Sequence, residues 1–185
     1  MTARTPSSRR PSTTRAKSTA SIAGVRVSAA RPPRIVTMRA ADCLALLERH
    51  TVGRMAYSHR NRVDIAPIHY VYSDGWVFAR TSDGAKMTTL RHVPWVAFEV
   101  DEIDGVFDWK SVVVHGTVYR MARDGAPGEA KLWSKGMELL KRIVPETGTP
   151  DDPVPFRTVI FGIHVDTISG RSSARSRTPS RARPR

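Results

Sequence analysis

The strongest structural constraint in this sequence is a pair of strand-like segments joined by a tight turn. Residues 63–72 and 76–81 are rich in β-branched and aromatic residues, and Ser73-Asp74-Gly75 lies between them. Asp-Gly between two such segments is typical of a β-hairpin. Antiparallel sheet is therefore expected in the middle of the chain.

The segments on both sides of this hairpin predict the rest of the fold. Further strands are expected over residues 54–58, 95–101, 111–121 and 156–166, with a turn at 59–62. Helices are expected from about 38 to 50, over 85–92 and over 129–144 because their apolar residues recur at helical spacing. We assign Gly53 to the C-terminus of the first helix, and Ser82 or Asp83 to the N-cap of the second. The sequence thus predicts an α+β fold, a six-stranded antiparallel β-barrel with flanking helices.

Charge divides the chain into three parts. Residues 1–36 contain eight Lys or Arg and residues 170–185 contain six, with no acid in either segment. Residues 37–169 then hold 16 of the 30 basic residues and all 17 acidic ones, so the predicted folded domain is close to neutral. We predict disordered, basic extensions at 1–36 and 170–185. Alternatives for the first are a transit peptide, a true start at Met38, or weak contact of both extensions with nucleic acid.

Several classes of protein are disfavoured by motif and composition. No apolar segment approaches the roughly 20 residues of a membrane helix, and the single cysteine, Cys43, excludes an internal disulfide. Neither a G-x-G-x-x-G nor a G-x-x-x-x-G-K-[ST] phosphate loop occurs, and the six histidines are scattered one per element. We expect a cytoplasmic protein without a metal site.

The turn after the hairpin offers the groups that a phosphate monoester needs. Thr81 and Ser82 carry hydroxyls, Gly84 permits a turn, and Lys86 follows at the start of the predicted helix. Helix N-terminal N–H groups together with a lysine bind phosphate. An ordinary capped turn with a solvated lysine is the alternative.

A second candidate lies just before the valine-rich strand. Trp109 could flank a planar ligand there, and Ser111 could make a polar contact to its edge. A core tryptophan at the start of a strand is the alternative.

Taken together, these segments resemble a known family. Segments 46–57, 65–75, 81–86, 94–101 and 109–116 include Val-Gly-Arg-Met-Ala-Tyr, Ile-Ala-Pro-Ile-His-Tyr-Val-Tyr-Ser-Asp-Gly and Trp-Lys-Ser-Val-Val-Val-His-Gly. In this order they are similar to the pyridoxamine 5′-phosphate oxidase-like FMN-binding split barrels, and most of all to the nitroimidazole-resistance branch. The resemblance runs from about Arg39 to Arg171.

The resemblance implies a homodimer of split barrels with FMN held in a groove between the subunits. The strand of Pro67, Ile68, His69 and Tyr70 would lie along the flavin ring, where its backbone can contact the ring, with His69 near the flavin. The phosphate would be held by Thr81, Ser82, Gly84 and Lys86. Trp109 and Ser111 would approach from a neighbouring strand or from the partner subunit.

The function implied is an oxidoreductase that passes reducing equivalents from a nicotinamide donor through FMN to a small acceptor, for instance a nitroaromatic. Two alternatives stay open. The same fold could hold a deazaflavin or haem, or the protein could be a non-catalytic flavin-binding dimer whose extensions contact nucleic acid.

Overall fold

The computed structural model describes residues 33–174, so the predicted disorder of residues 1–32 and 175–185 lies outside the described residues. Seven strands occur in this part: β1 Arg34–Thr37, β2 Val52–His59, β3 Arg62–Ser73, β4 Trp76–Thr81, β5 Trp95–Gly105, β6 Asp108–Met121 and β7 Val159–Ala174. Three helices lie between them: α1 Ala40–Arg49, α2 Ala85–His92 and α3 Pro127–Lys141. No helix among residues 33–174 is long and apolar enough to cross a membrane.

Two tight turns set the register of the first three barrel strands. In the β3–β4 hairpin, Asp74 and Gly75 both have positive φ angles, 47° and 78°. The β2–β3 hairpin has the same form, with Arg60 at 50° and Asn61 at 62°. Positive φ at both central residues is the two-residue turn whose twist suits antiparallel strands. Both predicted turns are therefore confirmed.

The strands form a barrel of six, with β1 added at one edge. Antiparallel pairing runs through β7, β4, β3, β2, β5 and β6, and β6 closes the ring by pairing with β7. The predicted antiparallel α+β barrel is confirmed. β1 is the seventh strand of the sheet, and it pairs with the end of β7, Arg34 opposite Ala174 and Thr37 opposite Arg171.

The folded part is consequently longer than the predicted domain of residues 37–169. Residues 34–36 and 170–174, which composition assigned to the extensions, belong to paired strands. The sequence signal fails here because β1 has only four residues, all exposed, and its order depends on β7.

The core fills the barrel and continues under the helices. Buried side chains of β2, β3, β5 and β6 meet there, among them Met55, Tyr70 and Phe98, and Val112 lies with them. α1 adds Cys43, Leu46 and Leu47, while α2 adds Met87 and Leu90. α3 covers a second cluster on the outside of β4 and β7, formed by Phe78, Met121, Leu139, Leu140 and Ile160.

Two local assignments from the sequence are wrong. Gly53 does not end α1: it is the second residue of β2, where a Cβ would overlap the Phe98 ring, so close packing requires the glycine. Neither Ser82 nor Asp83 caps α2, because Gly84 occupies the N-cap position without a side-chain hydrogen bond.

Several boundaries also differ from the expected ones. β6 begins at Asp108, so Trp109 lies inside the strand rather than before it. β5 continues to Gly105 and β7 starts at Val159 rather than Phe156.

Candidate functional site

The barrel is open where β3 and β4 separate. β3 pairs with β4 only over residues 70–73, whereas its residues 62–69 pair with β2 alone. β4 continues past the last β3 pair through Arg80 to Thr81 and pairs there with β7. We call this opening, between residues 63–69 of β3 and residues 80–86, the gap. It brings together two groups of residues predicted to bind one ligand.

The backbone on the β3 side of the gap has free hydrogen-bonding groups. The Tyr70 N–H donates to the Thr51 carbonyl at 2.9 Å, so the backbone groups of the even-numbered β3 residues point to β2. Those of Ile65 and Pro67 point into the gap, where no strand of residues 33–174 pairs with them. Proline suits this edge because it has no N–H to leave unpaired.

Two of the four residues predicted to contact the ring have side chains with structural roles. The Ile68 and Tyr70 side chains are buried in the barrel core. The Tyr70 hydroxyl donates to the Leu47 carbonyl at 2.9 Å, and burial raises the pKa of this phenol. Pro67 and His69 are exposed. Cofactor contact by this strand stays a prediction, and Pro67 and His69 are the residues placed to make it.

The other side of the gap is the start of α2. Thr81 is buried at the end of β4, and Ser82 and Gly84 are exposed in the turn that follows. Gly84, with φ 172°, provides no side-chain cap, which leaves the first-turn N–H groups of α2 available to a ligand or water. This arrangement suits an anion.

Lys86 is half-buried beside a second cation. Burial lowers its pKa most, and the positive charge of Arg157 lowers it further. Within residues 33–174, neither Lys86 nor Arg157 forms an ion pair with a carboxylate. Two cations of this kind favour a negatively charged ligand between them.

A buried ion pair adjoins residues 81–86, which we call the phosphate turn after the ligand they are predicted to hold. Arg80 makes two hydrogen bonds to the Asp152 carboxylate, at 2.5 and 2.9 Å, and both side chains are less than a tenth exposed. Asp152 also accepts the backbone N–H of Gly148 at 2.8 Å and of Val154 at 3.0 Å. These donors, Arg80 first, hold the pKa of Asp152 well below its usual range.

Trp109 and Ser111 are not at the gap of their own chain. They lie half-buried on β6, which is separated from β3 by β2 and β5. His69 lies opposite Val52, and Ser111 lies opposite Asp101 on the same side of the sheet; the β2–β5 pairing ends at Arg54 and Glu99, two residues before Val52 and Asp101. We call the surface of β3, β2, β5 and β6 turned away from the core the outer face. Three strand spacings separate His69 from Ser111 along it, about 14 Å.

The outer face has a polar half and an apolar half. In the polar half, Arg54 contacts Glu99 at 3.1 Å and Asp101 at 2.7 Å, and the Ser111 hydroxyl donates to Glu99 at 2.9 Å. In the apolar half, Val63, Ile65 and Trp95 are 74%, 63% and 69% exposed. Exposed apolar side chains grouped in this way mark an interaction surface.

Sequence reasoning missed Arg80, Asp152 and Arg157. An arginine inside a strand pattern is an ordinary surface residue unless its burial is known, and Asp152 lies 72 residues away. Only the tertiary fold brings them to the phosphate turn. Among residues 33–174, no group of three His, Cys, Asp or Glu could hold a metal ion.

Comparison with solved structures finds the same architecture in proteins from several bacteria. A FAD-binding protein from Mesorhizobium loti is 28% identical, with a TM-score of 0.61 over 76% of this chain and 98% of that one. A 5-nitroimidazole antibiotic resistance protein from Bacteroides thetaiotaomicron shares the fold at 10% identity, with a TM-score of 0.59 over 78% and 90% of the two chains. The haem storage protein HutZ of Vibrio cholerae does so at 14%, with a TM-score of 0.54 over 71% and 94%.

Comparison with family models and with curated proteins gives one match. No curated protein matches this chain. The family model for pyridoxamine 5′-phosphate oxidase matches residues 39–172, which include the whole barrel, the gap and the outer face. The chain therefore belongs to the pyridoxamine 5′-phosphate oxidase family.

Proposed function

We propose that this protein is an FMN-dependent oxidoreductase that moves reducing equivalents from a nicotinamide donor to a small acceptor such as a nitroaromatic. The observation that carries the proposal is the gap itself, with free backbone groups on one side and, on the other, two cations that form no ion pair among residues 33–174. A flavin mononucleotide has matching parts, a ring edge rich in hydrogen-bonding atoms and a terminal phosphate.

The residues around the gap match the ring and the phosphate of FMN in their chemistry and in their placement on its two sides. Ile65 would present its N–H and carbonyl groups, and Pro67 its carbonyl, toward the ring edge. Thr81, Ser82, Gly84 and Lys86 would hold the phosphate at the start of α2. A bound flavin supplies the redox chemistry, and the protein binds and orients it. The exposed His69 side chain would lie near the flavin.

We further propose a homodimer joined through the outer face. The apolar half of that face supplies area for association, and a two-fold interface places the same face of both subunits together. Such an interface lets Trp109 and Ser111 of one chain approach the gap of the other, which they do not reach within their own chain. Sedimentation of the purified chain tests this proposal, with a monomeric Trp95→Asp variant as the expected contrast.

Three other ligands compete with FMN for the gap. FAD is one, because the Mesorhizobium loti relative is named for binding it. A deazaflavin and haem are the other two, and both are alternatives that the sequence left open. A separate alternative is that the protein binds flavin without turnover. A deazaflavin and haem each differ from the flavins in absorbance spectrum, whereas FMN and FAD share one chromophore and are compared by the affinities from separate titrations.

The first test is the visible spectrum of the full-length protein, as purified and during titration with FMN, FAD, a deazaflavin and haemin. We expect an oxidised-flavin spectrum that saturates at about one FMN per chain. A colourless protein that binds haemin or the deazaflavin but no flavin would overturn the FMN assignment.

Turnover is tested separately under nitrogen. Reduction of one nitro group to nitroso consumes one reduced nicotinamide and one proton and releases water, so nicotinamide loss and acceptor loss should be equal. A protein that binds FMN but catalyses no nicotinamide oxidation with nitroaromatic or quinone acceptors would instead be a flavin-binding protein without this activity.

A further inference from the structure

The segment between α3 and β7 is attached to the barrel at the edge of the gap. It contains Asp152, whose two carboxylate oxygens accept both the Arg80 guanidinium and the backbone N–H groups of Gly148 and Val154. The two Arg80 hydrogen bonds therefore fix this segment to the outer side of β4, and the two backbone bonds hold residues 148–154 around the Asp152 carboxylate. A bidentate arginine contact of this type fixes orientation as well as distance.

The same segment brings Arg157 to the phosphate turn. Val159, the first residue of β7, pairs with Thr81, the last residue of β4. Residues just before Val159 and just after Thr81 therefore leave the sheet at the same place. Arg157 precedes Val159 by two residues, and its charge acts on Lys86 across this junction.

Both cations lack a carboxylate partner among the described residues, although acids are available nearby. Asp83 lies in the same turn, but its carboxylate faces Arg120 at 3.5 Å. Asp152 is fully used by Arg80 and two backbone groups. Two like charges held together in this way repel each other, which a bound dianion would relieve.

We infer that Arg157 is a second cation for the phosphate of the proposed flavin, and that the buried Asp152–Arg80 pair is the positioning contact that holds it there. The inference rests on the proposed function for the identity of the ligand. The site would then hold a terminal dianionic phosphate with two cations, Lys86 and Arg157. Arg157 belongs to a segment about 70 residues after the phosphate turn in sequence.

The test compares FMN with riboflavin, which has the same ring and no phosphate, by quenching of flavin fluorescence. Arg157→Ala should weaken FMN binding about tenfold and leave riboflavin binding unchanged. Arg157→Lys should restore most of the loss because it keeps the charge. The matched control is Arg91→Ala, which removes an exposed arginine from the last turn of α2.

The positioning role has its own measurement. Asp152→Asn should weaken FMN binding about as much as Arg157→Ala, and the double variant should show little further loss, because both act through one contact. Where Asp152→Asn does not fold, Arg80→Lys replaces it, since it keeps the charge and loses the bidentate geometry. A folded variant with normal FMN affinity would overturn the positioning role.

A pH profile separates a direct role of Arg157 from general damage. The preference for FMN over riboflavin should fall as Lys86 loses its proton, and Arg157 is the charged group that lowers the Lys86 pKa. In Arg157→Ala that fall should move to higher pH. An unchanged profile together with unchanged FMN affinity would overturn the inference while leaving the proposed function intact.

Failure of the proposed function gives a different result. If the wild-type chain binds no flavin, the probe becomes inorganic phosphate, measured as the rise in Tm over sodium chloride of equal ionic strength. Loss of that rise in Arg157→Ala, but not in Arg91→Ala, supports the two-cation site without a flavin. Equal rises in both variants would overturn it.

Discussion

The β6–β7 pairing and the β3–β4 pairing differ in how much of each strand is hydrogen-bonded to its neighbour. β6 and β7 pair over 13 residues with one irregularity, between His115 and Gly116. β3 and β4 pair over four residues and then separate. At the first pairing nearly every backbone group is used within the sheet, whereas at the second the backbone of Ile65 and Pro67 is left for another partner.

This difference separates stability from binding within one barrel. The long pairing packs Val112, Val114 and Ile163 into the core, and substitutions there should act on unfolding. The gap places exposed or half-buried polar groups around an opening, and substitutions there should act on ligand affinity. Substitutions in the two regions should therefore change the free energy of unfolding and the ligand affinity independently.

The largest expected effect is on the β6–β7 pairing. A Cβ at Gly116 would overlap the His164 carbonyl oxygen and lie 2.7 Å from a methyl carbon of Ile163. Because backbone cannot yield as a side chain can, Gly116→Ala should lower the free energy of unfolding by about 3 kcal/mol, measured by urea denaturation. Gly105→Ala is the matched control, since a Cβ there meets no atom within 4 Å. Equal losses in both variants would contradict the prediction.

The next effect is on the gap. Lys86→Met should weaken FMN binding about 30-fold, or about 2 kcal/mol, because a charged hydrogen bond to phosphate is lost. Its Tm should stay the same or rise, since burial already disfavours the lysine charge, as its lowered pKa indicates. Lys131→Met, an exposed lysine on α3, is the control. A large fall in Tm would mean that Lys86 stabilises the fold rather than the ligand.

The sequence predicts the two regions unequally well for a physical reason. Turns such as Asp74-Gly75, and the buried alternation of Val96, Phe98 and Val100, are local signals, so the hairpins and barrel strands are predictable. The gap depends on where two strands stop pairing, which no local pattern encodes.

The site residues follow the same rule. Lys86 and its turn could be found because they are contiguous in sequence. Arg80, Asp152 and Arg157 could not, since only the β4–β7 register brings them together. Gly53 was misassigned because a glycine required by the Phe98 ring looks the same in sequence as one that ends a helix.

A smaller effect should come from pH. Lys86 must carry its proton to bind phosphate, and its pKa lies below the ordinary 10.5 because of burial and Arg157. The ratio of FMN to riboflavin affinity should therefore fall about tenfold as pH rises through that lowered pKa, and stay constant at lower pH down to the second ionisation of the phosphate, near pH 6. Lys86→Met should show no such fall. A ratio that stays constant up to pH 10.5 in the wild type would exclude Lys86 as the phosphate cation.

The smallest effect concerns Ser82, exposed in the turn between Thr81 and α2. If its hydroxyl donates to the phosphate, Ser82→Ala removes one neutral donor from a charged acceptor and should weaken FMN binding about fivefold, with riboflavin binding and Tm unchanged. Ser134→Ala is the matched control, because that hydroxyl bonds only the Ala130 carbonyl on the exposed side of α3. The size of the effect distinguishes two ways in which the protein could hold the phosphate. A fivefold loss means that hydroxyls and cations share it, whereas no loss would mean that the cations and the α2 N–H groups hold it without the turn.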